Sequence, residues 1–132
     1  MSEVTDVAWV FKTAWFTRAA RKARIKDDEL CRAVAATMAG QADDLGGGVF
    51  KKRLDQNRSR SIILAKGRRY WVYAYLFAKK DRANIDDDEL RAFRKLADLY
   101  AEKTDVEIDL ELKAKVIVEI CHDQAQVQER RL

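Results

Sequence analysis

The chain has 132 residues, 36% of them charged and 48% hydrophobic. That is a globular composition rather than a disordered one, and enough chain for one ordinary domain with its own core. Cys31 and Cys121 belong to no CxxC pair; two isolated cysteines point to a reducing compartment and away from a structural zinc site. No apolar run approaches the roughly 20 residues needed to span a bilayer. Residues 1–6 are polar and acidic, unlike a secretory leader. The expectation is a soluble cytoplasmic protein without a membrane partner.

Residues 7–12 alternate, with Val7, Trp9 and Phe11 on one side, and predict a strand. A helix is expected over residues 15–24, with Trp15, Ala19 and Ala23 on one face, Phe16 and Ala20 beside them, and Arg18, Arg21, Lys22 and Arg24 outward. A second helix, about residues 28–41, is opened by the acidic trio Asp27, Asp28 and Glu29. Leu30, Val34 and Met38 recur at helical spacing with Cys31 and Ala35 alongside, which makes Cys31 a packed core residue rather than a nucleophile. Gly46, Gly47 and Gly48 then break the pattern.

Strands are predicted at 49–54 and 60–66, the latter carrying Ile62, Ile63 and Leu64. A turn at Gly67 and Arg68 leads into residues 70–78, apolar at both parities like a central strand covered on both faces. The alternate aromatics Trp71, Tyr73, Tyr75 and Phe77 invite a base-stacking role, but packing against the helices at 15–24 and 86–103 is the stronger reading. Asp86 with Glu89 forms a capping-box pattern, and Leu90, Phe93, Leu96, Ala97 and Tyr100 make the buried stripe of a helix to about residue 103. Residues 107–113 suit a short helix, 116–120 a strand, and 122–132 a flexible tail. The fold class is α+β: a small antiparallel-rich sheet packed on helices, order β-α-α-β-β-β-α plus a C-terminal extension, with residues 1–121 as a single domain.

Charge is distributed unevenly along this order. Residues 1–48 balance; residues 49–82 hold eleven Lys/Arg against Asp55 and Asp81, a net of +9; residues 83–132 hold eight against thirteen acids, a net of −5. Such a basic block concentrates polyanions, although a merely solvated basic face has the same composition. Three clusters carry it: Lys51, Lys52 and Arg53; Arg58 and Arg60; and Lys79, Lys80 and Arg82. Alternation puts Lys51 and Arg53 on one face and Lys52 on the other. If the strands pair in sequence order as antiparallel neighbours, the first and third clusters converge near one end. Lys79 and Lys80 point to opposite faces if the strand persists that far, whereas a turn starting at Ala78 cancels that inference.

A cationic groove over a sheet suits single-stranded RNA. RNA also brings its own nucleophile, the 2′-hydroxyl. Cleavage then needs removal of that proton, neutralisation of charge on the phosphorane, and protonation of the leaving 5′-oxygen. Lysine among other cations can serve as a base, and arginine stabilises phosphate charge bidentately. Such a site works without a metal, a cofactor or histidine; the only histidine, His122, lies beside Asp123 in the tail and looks like part of an exposed dipeptide.

Residues 9–16 (WVFKTAWF), 25–35 (IKDDELCRAVA), 44–53 (DLGGGVFKKR) and 77–85 (FAKKDRANI) together resemble the RelE family of the RelE/ParE toxin superfamily, in its branch with HigB-type toxins and a triple glycine before the strand. With the following helix the resemblance covers roughly residues 9–103. It implies a type II toxin that cleaves messenger RNA on the ribosome and is silenced by a cognate antitoxin with a helix-turn-helix DNA-binding domain. By position, Lys51 and Arg53 match the family's paired basic residues and Arg60 its phosphate-contacting arginine. Lys80 stands where typical members carry an arginine proposed as general acid. The catalytic candidates are therefore Lys51, Arg53, Arg60 and Lys80, and the RNA-binding candidates Lys52, Arg58, Lys79 and Arg82, with Arg82 as a phosphate clamp.

The chain also departs from the pattern. Typical members carry a base-stacking tyrosine soon after the third cluster, where Asp86 stands here. Some HigB relatives use active-site histidines, and the loop before Arg60 is shortened to residues 55–59. Two other readings stay open: a ParE-like inhibitor of DNA gyrase, against which the full Lys/Arg set argues, and a non-catalytic RNA- or ribosome-binding protein.

Overall fold

Ten elements follow one another in the computed structural model, which describes residues 9–121: β1 (Trp9–Thr13), α1 (Ala14–Ala23), α2 (Asp27–Met38), β2 (Asp43–Asp44), β3 (Val49–Leu54), β4 (Ser59–Leu64), β5 (Tyr70–Ala78), α3 (Asp87–Glu102), α4 (Asp105–Lys113) and β6 (Ile117–Ile120). The expected α+β class holds, and the expected element order holds apart from the additional two-residue strand β2; the C-terminal extension contributes α4 and β6. Residues 122–132, expected as a tail, lie outside the described residues.

The strands form a six-stranded sheet in the order β2-β3-β4-β5-β1-β6. β3, β4 and β5 pair antiparallel in sequence order, as expected. β1 joins β5 in parallel, and β6 closes that side antiparallel to β1. One face packs on α1 and α2 through Phe16, Ala20, Leu30 and Val34 against Ile63, Trp71 and Tyr73. The other packs on α3 and α4 through Ala97, Tyr100 and Ile108 against Val49, Leu64, Val72 and Ile117. Ile62, Ile63 and Leu64 are essentially fully buried, and each contributes roughly 1.5–3 kcal/mol through burial. The central strands are hydrophobic at both parities because both faces are covered.

Helix ends follow local chemistry. Thr13 caps α1 by accepting from the Phe16 N–H at 3.0 Å, and Asp86 and Glu89 exchange side-chain and backbone bonds in the expected capping box. A second box, Thr104 with Glu107, starts α4 two residues earlier than its apolar pattern suggests. α1 corrects the expected face. Phe16 and Ala20 take the buried positions, while Trp15 is 44% exposed and Ala23 is exposed too.

β5 bears out the expected packing of its aromatics on the helices but divides them between the two faces of the sheet. The β4–β5 register shifts between Ile62 and Ile63, which pair with Tyr75 and Tyr73 and leave Ala74 as the extra residue. A bulge reverses parity beyond it. Trp71 and Tyr73 therefore face α1 and α2, where the Tyr73 hydroxyl donates to the Leu30 carbonyl at 2.7 Å. Tyr75 and Phe77 face the α3 side. The four aromatics do not form one row.

The cysteines are a second correction. Cys31 in α2 and Cys121 just after β6 are joined as a disulfide, with Cα atoms 5.4 Å apart across 90 residues of sequence. Pairing of β6 with β1 carries Cys121 to the α2 face, a long-range encounter with no local sequence signal. Cys31 is buried in the core as expected, but the pair lends no support to a reducing compartment. Cross-linking a loop of this length restrains the unfolded chain by about 4.5 kcal/mol in the chain-entropy model. Reduction should lower the melting temperature with the fold retained, and identical melts with and without a thiol reductant would show that the pair does not constrain the chain.

Candidate active site on the basic sheet face

Strand register builds the site. Arg53 lies directly opposite Arg60, and Arg60 opposite Phe77; one row further in, Lys51 faces Ile62 and Ile62 faces Tyr75. Alternation from Val49, which packs under α3, puts Lys51, Arg53 and Arg60 on the α3 side of the sheet. Three of the four catalytic candidates thus share one face. Lys52 is on the opposite face, where its ammonium donates to the Gln41 carbonyl at 2.7 Å.

The charges are balanced unevenly. The Lys51 ammonium lies 3.8 Å from the Asp43 carboxylate on neighbouring β2. The Arg60 guanidinium donates to the carbonyls of Asn57 and Ser59 at 3.0 and 3.1 Å. Arg53 is exposed and makes no ion pair among the described residues. Two like charges directly opposite on neighbouring strands destabilise the pair, and neither has a carboxylate partner among the described residues. An anion seated between them removes that penalty.

The β3–β4 turn holds Arg60 in place. Asp55, Gln56 and Asn57 are all left-handed, at φ 56°, 53° and 73°, a conformation that Asp and Asn tolerate but that costs a residue such as Gln56 roughly 1–2 kcal/mol. Two contacts stabilise this conformation. The Asp55 N–H donates to the Glu29 carboxylate of α2, and Arg58 forks onto the Asp55 carboxylate at 2.8 and 3.2 Å. That guanidinium holds the Asp55 carboxyl below its usual range. The charge of Arg58, an RNA-binding candidate, is therefore already committed to the turn.

The third cluster meets this turn. β5 ends at Ala78 and residues 79–81 form a turn, so strand parity does not separate Lys79 from Lys80. The Lys79 N–H donates to the Arg58 carbonyl at 2.9 Å. Both lysines, with Ala23, Ala78 and residues 55–59, line a cleft of about 620 Å³. Neither ammonium has an ion pair among the described residues. Arg82 is placed differently. Its guanidinium forks onto Glu89 at 2.5 and 3.0 Å and lies over the Phe77 ring, 5.6 Å from the centroid. This pairing holds the Glu89 carboxyl below its ordinary range.

The site thus has a free arginine beside a positioned one, a lysine row behind them, and two unpaired lysines at the adjoining turn. Sequence reasoning missed Glu29, Asp43 and Glu89 as partners, because each lies far along the chain or across a turn from the group it holds: the Asp55 N–H, Lys51 and Arg82. It also missed Trp15, whose stack on Tyr75 brings an exposed ring to this face. Among the described residues no group of three or more His, Cys, Asp or Glu side chains is placed to hold a metal ion. No described helix is long and apolar enough to cross a membrane.

The family model describing the RelE toxin of the RelE/RelB toxin–antitoxin system matches residues 8–120. The chain belongs to that family and is a toxin of a toxin–antitoxin system, which implies a cognate antitoxin. No curated protein and no solved structure matches the chain significantly.

Glu29 is expected to position the turn. Glu29→Ala removes the acceptor of the Asp55 N–H and should cost about 1–2 kcal/mol of stability, while Glu29→Gln, which keeps an acceptor oxygen, should lose less. Equal melting of all three proteins would show that the turn holds its shape without α2.

Proposed function

We propose that this toxin is a ribosome-dependent messenger RNA endoribonuclease, an mRNA interferase that inhibits translation in the cytoplasm. The observation that carries the reading is the Arg53–Arg60 pair, two arginines directly opposite in the strand register, neither with a carboxylate partner among the described residues. A phosphodiester supplies the missing anion in the geometry that arginine binds best.

In this reading the RNA 2′-hydroxyl attacks the adjacent phosphorus and displaces the 5′-oxygen of the next nucleotide. Lys51 takes the 2′-proton. Arg53 and Arg60 stabilise the charge that develops on the phosphorane oxygens. Lys80, at the turn beyond β5, gives a proton to the departing 5′-oxygen, since lysine is a better acid than arginine. Lys79 contacts a flanking phosphate. Arg58 and Lys52 add to the basic field, and Arg82 joins as a clamp only where substrate replaces Glu89 as its partner. None of these steps requires a cofactor.

The cognate antitoxin, by family pattern a helix-turn-helix DNA-binding protein, would cover the +9 block with acidic or apolar segments. Two other readings are a module that binds RNA or the ribosome without cutting, and a ParE-like inhibitor of DNA gyrase.

A purified-protein translation assay with primer-extension mapping separates the three. Cleavage at defined message positions, only with ribosomes present, is the expected result. Arg60→Lys keeps the charge but not the fork, and should lose at least about tenfold in cleavage while ribosome binding persists. Lys80→Ala should lose more than Lys79→Ala at matched melting temperature. The co-purified product of an adjacent reading frame should restore full-length synthesis, less effectively as salt rises. Intact messages would leave binding alone or gyrase as the target. Full activity of Arg60→Lys would remove Arg60 from the site, and a larger loss for Lys79→Ala would exchange the two lysines.

A further inference from the structure

Trp15 is an expensive residue to leave in water. It stands in the first turn of α1, where Phe16 and Ala20 take the buried positions, and it keeps 44% of its surface exposed. The ring is nonetheless fixed. It stacks on Tyr75 with centroids 5.0 Å apart and planes 26° apart. Tyr75 is itself braced by Phe93 of α3 at 5.8 Å and by Phe77 at 6.0 Å. One face of Trp15 is therefore backed by a rigid aromatic wall, in an arrangement that costs a mobile ligand little ordering.

Its location matters as much as its exposure. Tyr75 ends the cross-strand row that runs through Ile62 to Lys51, and the neighbouring row is Phe77, Arg60 and Arg53. The aromatic wall and the cations share one face of the sheet, two strand spacings apart, about 10 Å. A flat, sequence-tolerant stacking surface beside a phosphate-binding row is the chemistry that holds single-stranded nucleic acid. A protein partner would also value an exposed tryptophan. Its place on the same face as the arginine pair, about 10 Å away, favours a ligand that carries a ring and an anion together.

We propose that Trp15, backed by Tyr75, is a nucleobase-stacking platform that takes one base of the RNA strand whose phosphate lies on Arg53 and Arg60. This rests on the RNA reading above and adds a base-binding subsite to it. The platform supplies affinity and strand register. It discriminates little between bases, because every base has a stacking face.

The test uses the full chain and a short single-stranded RNA made uncleavable by 2′-O-methyl groups, with an abasic oligonucleotide of the same length and charge as control. Affinities are measured at low salt, where phosphate contacts are strongest. Trp15→Ala should bind the RNA about 5- to 100-fold more weakly and the abasic strand as well as wild type does, and Trp15→Phe should recover most of the loss. Equal affinity of wild type for RNA and abasic strand would overturn the platform and leave the phosphate site standing. A Trp15→Ala protein that binds both strands more weakly to the same degree, or neither more weakly, would overturn it too. If Trp15→Ala instead loses only its antitoxin, the ring belongs to a protein interface. Failure of wild type to bind either strand would overturn the platform, whereas the RNA reading is decided separately by the ribosome-dependent cleavage assay.

Discussion

Register between β3 and β4 is the constraint on which the site depends. A slip of one residue would carry Arg53, or Arg60, to the α1–α2 face and bury a charge in the core. The register is pinned at both ends of the hairpin. At the open end Gly48, at φ +84°, lies so close to Lys66 that an added Cβ would fall 2.4 Å from the Lys66 Cβ, while its carbonyl accepts from the Ala65 N–H at 2.7 Å. At the closed end the left-handed turn of Asp55, Gln56 and Asn57 is tied to α2 through Glu29. Between these fixed points two arginines are held opposite each other in the register, with no acidic partner for either among the described residues, at a cost in stability. Such unfavourable placements persist where a ligand relieves them.

The rest of the fold supports that arrangement. The α1–α2 layer buries Trp71 and Tyr73 and gives the sheet a rigid back. The α3–α4 layer covers only part of the other face: α3 seals Val49 and Leu64, and Arg94 bonds the Leu45 and Gly46 carbonyls across the glycine run. Beyond it Arg53 stays exposed, whereas Lys51 keeps only 15% of its side chain exposed and Ile62 and Phe77 are buried. Arg82 with Glu89 and Phe93 with Tyr75 mark the border between the packed and the open part.

Much of this is legible in the sequence because it is local. Alternation at 49–54, the β-branched run at 62–64 and the box from Asp86 to Glu89 each depend on neighbours within one turn or one strand. That Lys51 and Arg53 share a face follows from alternation, whereas Arg60 joins them through the β3–β4 register. Features set by distant partners are not legible. The Cys31–Cys121 bond spans 90 residues, and the Glu29–Asp55 contact joins elements on either side of β2. The bulge at Ala74 has no glycine to announce it, so alternation alone gives Tyr75 the face of Tyr73. Thr104 and Glu107 are a readable box that the short apolar pattern of α4 obscures. At Trp15, size argues for burial, whereas the helix phase buries Phe16.

The central claim is that a site built from Lys and Arg directs the RNA's own 2′-hydroxyl at the phosphate between Arg53 and Arg60. It is tested most directly by placing a single 2′-deoxynucleotide immediately 5′ of a mapped cut in an otherwise unchanged message and repeating the ribosome-dependent cleavage assay. The expected result is loss of cutting at that position alone, with the unmodified message yielding a 5′-hydroxyl on its downstream fragment. Undiminished cutting of the deoxy-substituted message would contradict the account, because the nucleophile would then have to be something other than the 2′-hydroxyl.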